Sequence, residues 1–381
     1  MGVDETPKYK GLCTEGRYTP HQGYCTMDLT DYQELQDIGR NGKNRPWKEK
    51  KMANEMLAEA YAGINSHKAM RLRQCGSVLT YRVYEDGQHR LDGMTSCRVR
   101  LCPICTWRRS LKVYGQTREI VDKIAQDYGY RWILLTLTVR NCTGPELSGT
   151  IDTLLAGWRR LLAIKQVKNI CKGWYRSMEV THDTDPIITR EMWGGDKARH
   201  IKSRKAYYQA RGLAIGDDNP NFDTYHPHIH ALLAVEPGYF GRAYIKQADW
   251  AQLWQQACRL DYVPQVGVKS VKGETMDEIA GAVAEVAKYA AKDSEYIVPD
   301  DWDLTVDAVR TLDAALANRR LVAYGGVMRD VKRALGQDDV ETGDLVHLDG
   351  TDDLEGEFRR VWYFWVAGYN GYYTQRKYLE G

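Results

Sequence analysis

Phenylalanine is nearly absent from this chain, with four residues in 381 against 25 tyrosines and 11 tryptophans. The aromatic weight rests on rings with a polar edge, and many stand among charges, as in Trp158-Arg159-Arg160, Trp174-Tyr175-Arg176 and Lys205-Ala206-Tyr207-Tyr208. Such mixtures can stack bases while holding phosphates, although plain core packing accounts for at least half of them. Long apolar runs are missing too. Stretches such as 133–135 and 231–235 fall far short of the roughly 20 residues a membrane span needs, which excludes a spanning helix. Residues 1–6 show neither a basic n-region nor an apolar h-region, so the chain is expected to be soluble and cytoplasmic. Cysteine, nine residues in all, is too sparse for a disulfide scaffold. Net charge is only +2, so the bulk balance announces no polyanionic partner.

The distribution of charge says more than its sum. Residues 98–112 carry Arg98, Arg100, Arg108, Arg109 and Lys112 without an acid, and residues 159–176 and 197–211 each carry six Lys or Arg on the same terms. Residues 338–357 hold nine carboxylates and no Lys or Arg, cancelling the basic blocks without adjoining them in sequence. Any one block reads equally well as a solvated helix face. Three together favour a polyanion, with Arg108, Arg109, Arg159, Arg160, Lys202, Arg204, Lys205 and, further along, Lys288 as candidate contacts.

A chain of 381 residues exceeds a single core and reads as three units. An irregular arm, a helix and a small cysteine-rich module cover 1–112, a main domain covers 113–297, and a C-terminal region, 298–381, packs on or extends that domain. Apolar spacing predicts a helix over 47–72, short strands over 77–84 and 97–101, and a helix over 106–128. β-rich runs follow at 132–139, 174–181, 228–235 and 266–271, with helices over 146–164, 245–260 and 277–293. Strands mixed with amphipathic helices in this order indicate an α+β fold, a sheet with helices on one face. The connection 182–225 far exceeds the usual 2 to 6 residues and reads as a functional or partly disordered insertion. Residues 361–366 read as a strand that closes or extends the main sheet.

His226-Pro227-His228-Ile229-His230 places three imidazoles at alternate positions, and alternation on a strand turns them to one face. A lone His-x-His is more often chance than site, but three of the chain's nine histidines in five residues are not. A phosphoryl-transfer metal also wants an oxygen ligand and open positions for the substrate. Glu179, on the strand 174–181, is the first candidate, with His182 and Asp183 as rivals. On the helix 277–293, Ile279, Val283, Val286 and Ala290 form the buried face, and Glu285, Tyr289 and Lys292 fall along one stripe at its edge. That stripe offers a nucleophile, a base for water and a phosphate contact, although an ordinary helix with an edge tyrosine gives the same pattern. Cys97, Cys102 and Cys105, the last two as Cys-x2-Cys around Pro103, suit a structural zinc site that wants a fourth ligand. Cys75 is the first choice, with Cys13 and Cys25 as alternatives; Cys142, Cys171 and Cys258 read as small core residues.

Four segments, in order, resemble the replication initiators of small bacterial rolling-circle plasmids, within the superfamily of nucleases named for histidine–hydrophobic–histidine. They are the cysteine run 97–105 with Trp107-Arg108-Arg109, the strand Leu135-Thr136-Leu137-Thr138, the element His226–His230, and Glu285-Val286-Ala287-Lys288-Tyr289. The resemblance spans roughly residues 75–293 and implies a central antiparallel sheet with flanking helices. It also implies magnesium or manganese held by His228, His230 and an acidic ligand, with zinc in the cysteine module. Tyr289 would attack the scissile phosphate of the plasmid origin, single-stranded or in a hairpin at the nick site, leaving a 5′-phosphotyrosine and a free 3′-hydroxyl. Glu285 matches the position where other members carry a second tyrosine, which implies a terminating cut made by water. Host helicase and polymerase would be the partners, and a homodimer is compatible. A conjugative relaxase or a transposase-type member of the superfamily is the near rival, but relaxases place the tyrosine ahead of the histidines. A zinc-containing DNA-binding regulator without catalysis is the rival from another class.

Overall fold

The computed structural model of the chain describes residues 30–39, 42–196, 203–271, 276–287, 291–348 and 356–380. Among these residues the strands form two antiparallel sheets of five. One sheet runs in the order β7 (Val266–Val271), β4 (Arg131–Thr138), β6 (Thr224–Val235), β5 (Cys171–Asp183), β8 (Val322–Gly326). β4 and the second half of β6 read as near-continuous apolar runs because both of their faces are covered. Leu135, Leu137, Ile229 and Leu232 have no exposure. The other sheet is assembled from both ends of the chain, in the order β1 (Tyr32–Glu34), β10 (Gly371–Gln375), β9 (Phe358–Val366), β2 (Val78–Tyr84), β3 (His89–Met94). Residues 361–366 therefore do not extend the main sheet as expected but lie between β10 and β2. Among the described residues of the C-terminal region, β8 alone joins the main sheet, along β5.

The helices are α1 (Trp47–Ala62), α2 (Ser66–Gln74), α3 (Pro103–Tyr128), α4 (Gly144–Ala163), α5 (Lys165–Ile170), α6 (Arg190–Gly194), α7 (Lys205–Gln209), α8 (Gln247–Cys258), α9 (Met276–Val286), α10 (Trp302–Leu316), α11 (Val327–Ala334) and α12 (Lys377–Glu380). They cover both faces of the main sheet, not one. On one face Trp158 of α4 meets Trp174 of β5 edge to face at 5.3 Å. Gly157 lets α8 approach, since a Cβ there would fall 2.3 Å from the Cys258 sulfur. On the other face Ser177 of β5 donates a 2.7 Å hydrogen bond to the Val286 carbonyl of α9. The side chains of Trp174 and Ser177 point to opposite faces because they stand three apart on one strand.

Local differences from the sequence expectation have local causes. The expected helix 47–72 breaks at Gly63 into α1 and α2. Residues 97–101 are a loop, with Arg98 at φ 55°, and the strand before it is β3. The long connection is largely folded. β5 runs on to Asp183, which accepts from Arg204 and from Asn219, and α6 and α7 enclose a small core of Ile188, Met192 and Tyr208.

The first basic block is not a free surface. Arg108 and Arg109 are each 3% exposed. Arg108 donates 2.8 Å bonds to the carbonyls of Leu345 and Val346, Lys112 pairs with Asp338, and Arg100 pairs with Glu341 at 3.2 Å. Asp338 and Glu341, among the described acids of the acidic segment, pair with this block, and with both guanidinium groups buried, Arg108 and Arg109 are withdrawn as DNA contacts. Burying Arg108 unpaired would cost several kcal/mol, on the order of 3 to 5, and the fold supplies two carbonyl acceptors instead.

Candidate active site

β6 and β5 pair so that His228 lies opposite Glu179 and His230 opposite Ser177, all on one face by strand alternation. The Glu179 Oε2 stands 3.0 Å from His230 Nε2 and 3.3 Å from His228 Nε2, and all three residues are buried. The other ring nitrogens are held from behind. His228 Nδ1 donates to the His226 carbonyl at 3.0 Å, and His230 Nδ1 faces the Thr136 hydroxyl at 3.5 Å. Those partners orient the two rings with both Nε2 atoms toward the carboxylate, as around metal-ligating histidines.

Burial raises the Glu179 carboxyl, but hydrogen bonds and charge from His228 and His230 overcome it and hold the group well below the usual carboxylate range. Burial also lowers His230, against the pull of Glu179, and burial together with His228 brings His226 down to about 4. The outcome is an ionised carboxylate beside a His230 imidazole that burial biases toward its neutral form, the protonation state that a divalent cation needs. Ligand atoms about 2.1 Å from an octahedral ion stand about 3 Å apart along an edge, which fits the observed spacings. Three protein ligands leave positions for substrate oxygens.

His182 and Asp183, the rival ligands, are engaged elsewhere. His182 reaches Asp223 at 2.9 Å through Nε2 and the Glu295 carbonyl at 3.1 Å through Nδ1, and it stacks on Tyr225. Asp183 is tied to Arg204 and Asn219. α9 crosses the metal face of β5, β6 and β7 with Ile279, Val283 and Val286 buried, and the charge of Glu285 reaches His230. Tyr289, Lys288 and Ala290 lie outside the described residues, as do Lys202, Cys13 and Cys25. Lys292 departs from the expected stripe. The described helix ends at Val286, and Lys292 is exposed with extended backbone angles, φ −79° and ψ 153°. The chain there is drawn out by distant contacts, Asp293 with Lys50 at 2.9 Å and the Glu295 carboxylate with the His182 N–H at 2.9 Å.

The other cluster joins Cys75, Cys97, Cys102 and Cys105. Sulfur–sulfur distances of 3.5, 3.6 and 3.8 Å match the roughly 3.8 Å edge of a tetrahedron with ligands 2.3 Å from zinc. Backbone N–H groups of Cys97, Val99 and Cys105 donate to the sulfurs of Cys75, Cys97 and Cys102. Hydrogen bonds from Cys102, Cys75 and Cys97 hold the Cys105 thiol well below its ordinary value. Gly76, at φ 64°, lets the chain turn between Cys75 and β2 where a Cβ would strike Ile104. The Tyr372 hydroxyl clamps its carbonyl at 2.6 Å.

Of the remaining candidate DNA contacts, Arg159 and Lys205 are exposed, while Arg160 bonds the Ala257 carbonyl and Arg204 pairs with Asp183. Sequence reasoning did not single out Thr136, Ser177 or Glu295 as supports. The period-2 pattern of β4 and β5 put Thr136 and Ser177 on the right face, but only strand register reveals their partners.

A family model described as a replication protein matches residues 88–374. A relative named Protein rep from Bacillus amyloliquefaciens is 35% identical over 371 residues, covering 90% of this chain and 97% of its own length. A Protein rep from Streptococcus pneumoniae serotype 2 (strain D39 / NCTC 7466) is 32% identical over 349 residues, covering 90% of this chain and 96% of its own. A Replication protein from Staphylococcus aureus is 30% identical over 246 residues, covering 63% of this chain and 89% of its own. No solved structure matches the chain. A family match over three quarters of the chain, with relatives aligned almost end to end, means that this chain belongs to the replication protein family.

Proposed function

We propose that this chain initiates rolling-circle replication of a plasmid by nicking one strand of its origin, with Tyr289 as nucleophile. The observation that carries the reading is the convergence of Glu179 Oε2 with the Nε2 atoms of His228 and His230 on one sheet face. These three residues would hold magnesium or manganese, which would supply positive charge to polarise the scissile phosphate. Tyr289, three residues beyond Val286 in sequence, brings the phenol oxygen that attacks phosphorus. The phenol releases its proton as the oxygen–phosphorus bond forms, the phosphorus–O3′ bond breaks, the 3′ oxygen takes up a proton, and the 5′ phosphate stays on the tyrosine. The free 3′-hydroxyl primes the host polymerase, with a host helicase opening the duplex. Glu285, whose charge reaches His230, takes a proton from the water that makes the terminating cut. Lys292, off the helix and exposed, keeps the role of a phosphate contact. Zinc in the cysteine cluster holds the loop 97–105 against α3 and β2.

The test is the incubation of supercoiled plasmid carrying the origin with protein and manganese. Nicked circles support an enzyme. Origin binding without nicking, at any divalent ion, leaves the regulator reading in its place.

A further inference from the structure

Five of the ten described strands take no part in that chemistry. The sheet they form, β1-β10-β9-β2-β3, has two unlike faces. On one, Leu79, Tyr81, Val361 and Tyr363 are at most 1% exposed and belong to the core. On the other, β9 alternates Phe358, Arg360, Trp362 and Phe364 outward, so that two of the chain's four phenylalanines stand on one strand away from the core. Phe358 is 43% exposed, and Trp362 and Phe364 are half-buried.

The strand register adds the decisive feature. Arg82 of β2 lies opposite Arg360 of β9 on one side and Arg90 of β3 on the other, so three arginines stand in a row across adjacent strands. Like charges directly opposite destabilise a sheet. The sole acid in these three strands is Asp92, shared between Arg82 at 2.5 Å and Arg360 at 2.8 Å. Glu34 lies on the same face at the far β1 edge, opposite Tyr373. Asp92 offsets one of the three charges in the row, Glu85 and Asp86 stand in the β2–β3 turn and Glu357 just ahead of β9, and Arg82 and Tyr84 both pack on the Phe358 ring, at 4.9 and 5.7 Å. A flat sheet face with arginines and outward aromatic rings fits a strand whose bases are unpaired and whose phosphates run alongside. A duplex hides its base faces and would leave the rings idle.

We propose that this face binds single-stranded DNA, with phosphates along Arg82, Arg90 and Arg360 and bases on Phe358, Trp362 and Phe364. The inference rests on the reading of the chain as an origin-nicking protein, which generates such a strand, but the face stands apart from the metal-ligand strands. The experiment is fluorescence anisotropy of a labelled oligothymidine strand, and of a duplex probe, titrated with full-length protein across a range of salt. The Arg90→Ala/Arg360→Ala protein should bind the strand roughly tenfold or more weakly, and the slope of log affinity against log salt should fall by about 0.7 for each phosphate no longer neutralised. Trp362→Leu/Phe364→Leu should weaken strand binding by a similar factor and leave that slope unchanged. Zinc content and thermal midpoint, measured on each variant, establish that the fold is retained, and Trp362→Phe tests the same ring with minimal change through loss of strand-induced quenching of tryptophan emission. Unchanged strand affinity in both double variants overturns the proposal. So does an arginine effect equal for strand and duplex with no aromatic effect, which would make the face a general phosphate contact. Plasmid nicking by the wild-type protein is scored separately: strand binding through this face with uncut plasmid upholds the face and removes the nuclease reading.

Discussion

The two clusters of side chains able to ligate a metal differ in how far they close around the space between them. Four cysteines, all buried and braced by backbone N–H groups, leave no position for another ligand. Glu179, His228 and His230 supply three donors from two paired strands, braced from behind by the His226 carbonyl and the Thr136 hydroxyl. A closed set holds a fold together, and an open set has positions to offer a substrate. The supports differ in the same sense. The cysteine loop is locked by contacts from distant parts of the chain, Tyr372 on Gly76 and Tyr296 on Leu101. The histidines instead lie within a continuous sheet, where each position is set by register.

The comparison breaks first at the cysteines. Cys105→Ser should lose the zinc and with it much of the free energy that orders residues 75–112, on the order of 10 kcal/mol of binding free energy coupled to folding. Elemental analysis and thermal melting check this; a folded, metal-free wild-type protein with the same midpoint would remove zinc from the account. His230→Ala should do the reverse, lowering metal-dependent nicking by about three orders of magnitude while the zinc stays bound, because several kcal/mol of charge stabilisation at the phosphate disappears. Calorimetric titration with manganese sharpens the point. Glu179→Ala should weaken manganese binding at least about tenfold, and unchanged affinity would take Glu179 out of the ligand set.

Arg108→Ala probes the corrected basic block. It should cost about 1 to 3 kcal/mol of stability, because the carbonyls of Leu345 and Val346 lose their donor, and leave the salt dependence of DNA binding as it was. A shallower salt slope would return Arg108 to the DNA. The smallest effect on the first cut is expected from Glu285→Ala, which should still nick but accumulate products longer than one plasmid unit; loss of the first nick with intact metal binding would make Glu285 the partner of Tyr289 instead.

What could be read from the sequence was what local spacing encodes. Alternation in His226–His230 and Cys-x2-Cys around Pro103 are short-range patterns, and the structure gathers His228 with His230 and Cys102 with Cys105 as those patterns require. Cys75 and Glu179 were candidates whose proximity depends on how separate segments come together, and the fold brings both to their clusters. Long-range pairing stayed out of reach. β9 and β10 return to the beginning of the chain because their apolar face completes a core with Leu79 and Tyr81, and no periodicity says which partner a strand will take. The helix expected over 277–293 differs in a related way: its described part ends at Val286, and Asp293–Glu295 form a 3-10 turn held by the distant residues Lys50 and His182. Burial of Arg108 depends on a segment more than two hundred residues away.

The central claim is that the open cluster serves a tyrosine nucleophile, and covalent capture of labelled DNA tests it most directly. Plasmid origin DNA labelled within the strand that begins at the new 5′ end, incubated with manganese and resolved under denaturing conditions, should leave label on the wild-type protein. His230→Ala and Tyr289→Phe should carry none while still binding the origin. Label on the Tyr289→Phe protein, or nicked DNA from the wild type with no protein attached at any time, would contradict the account.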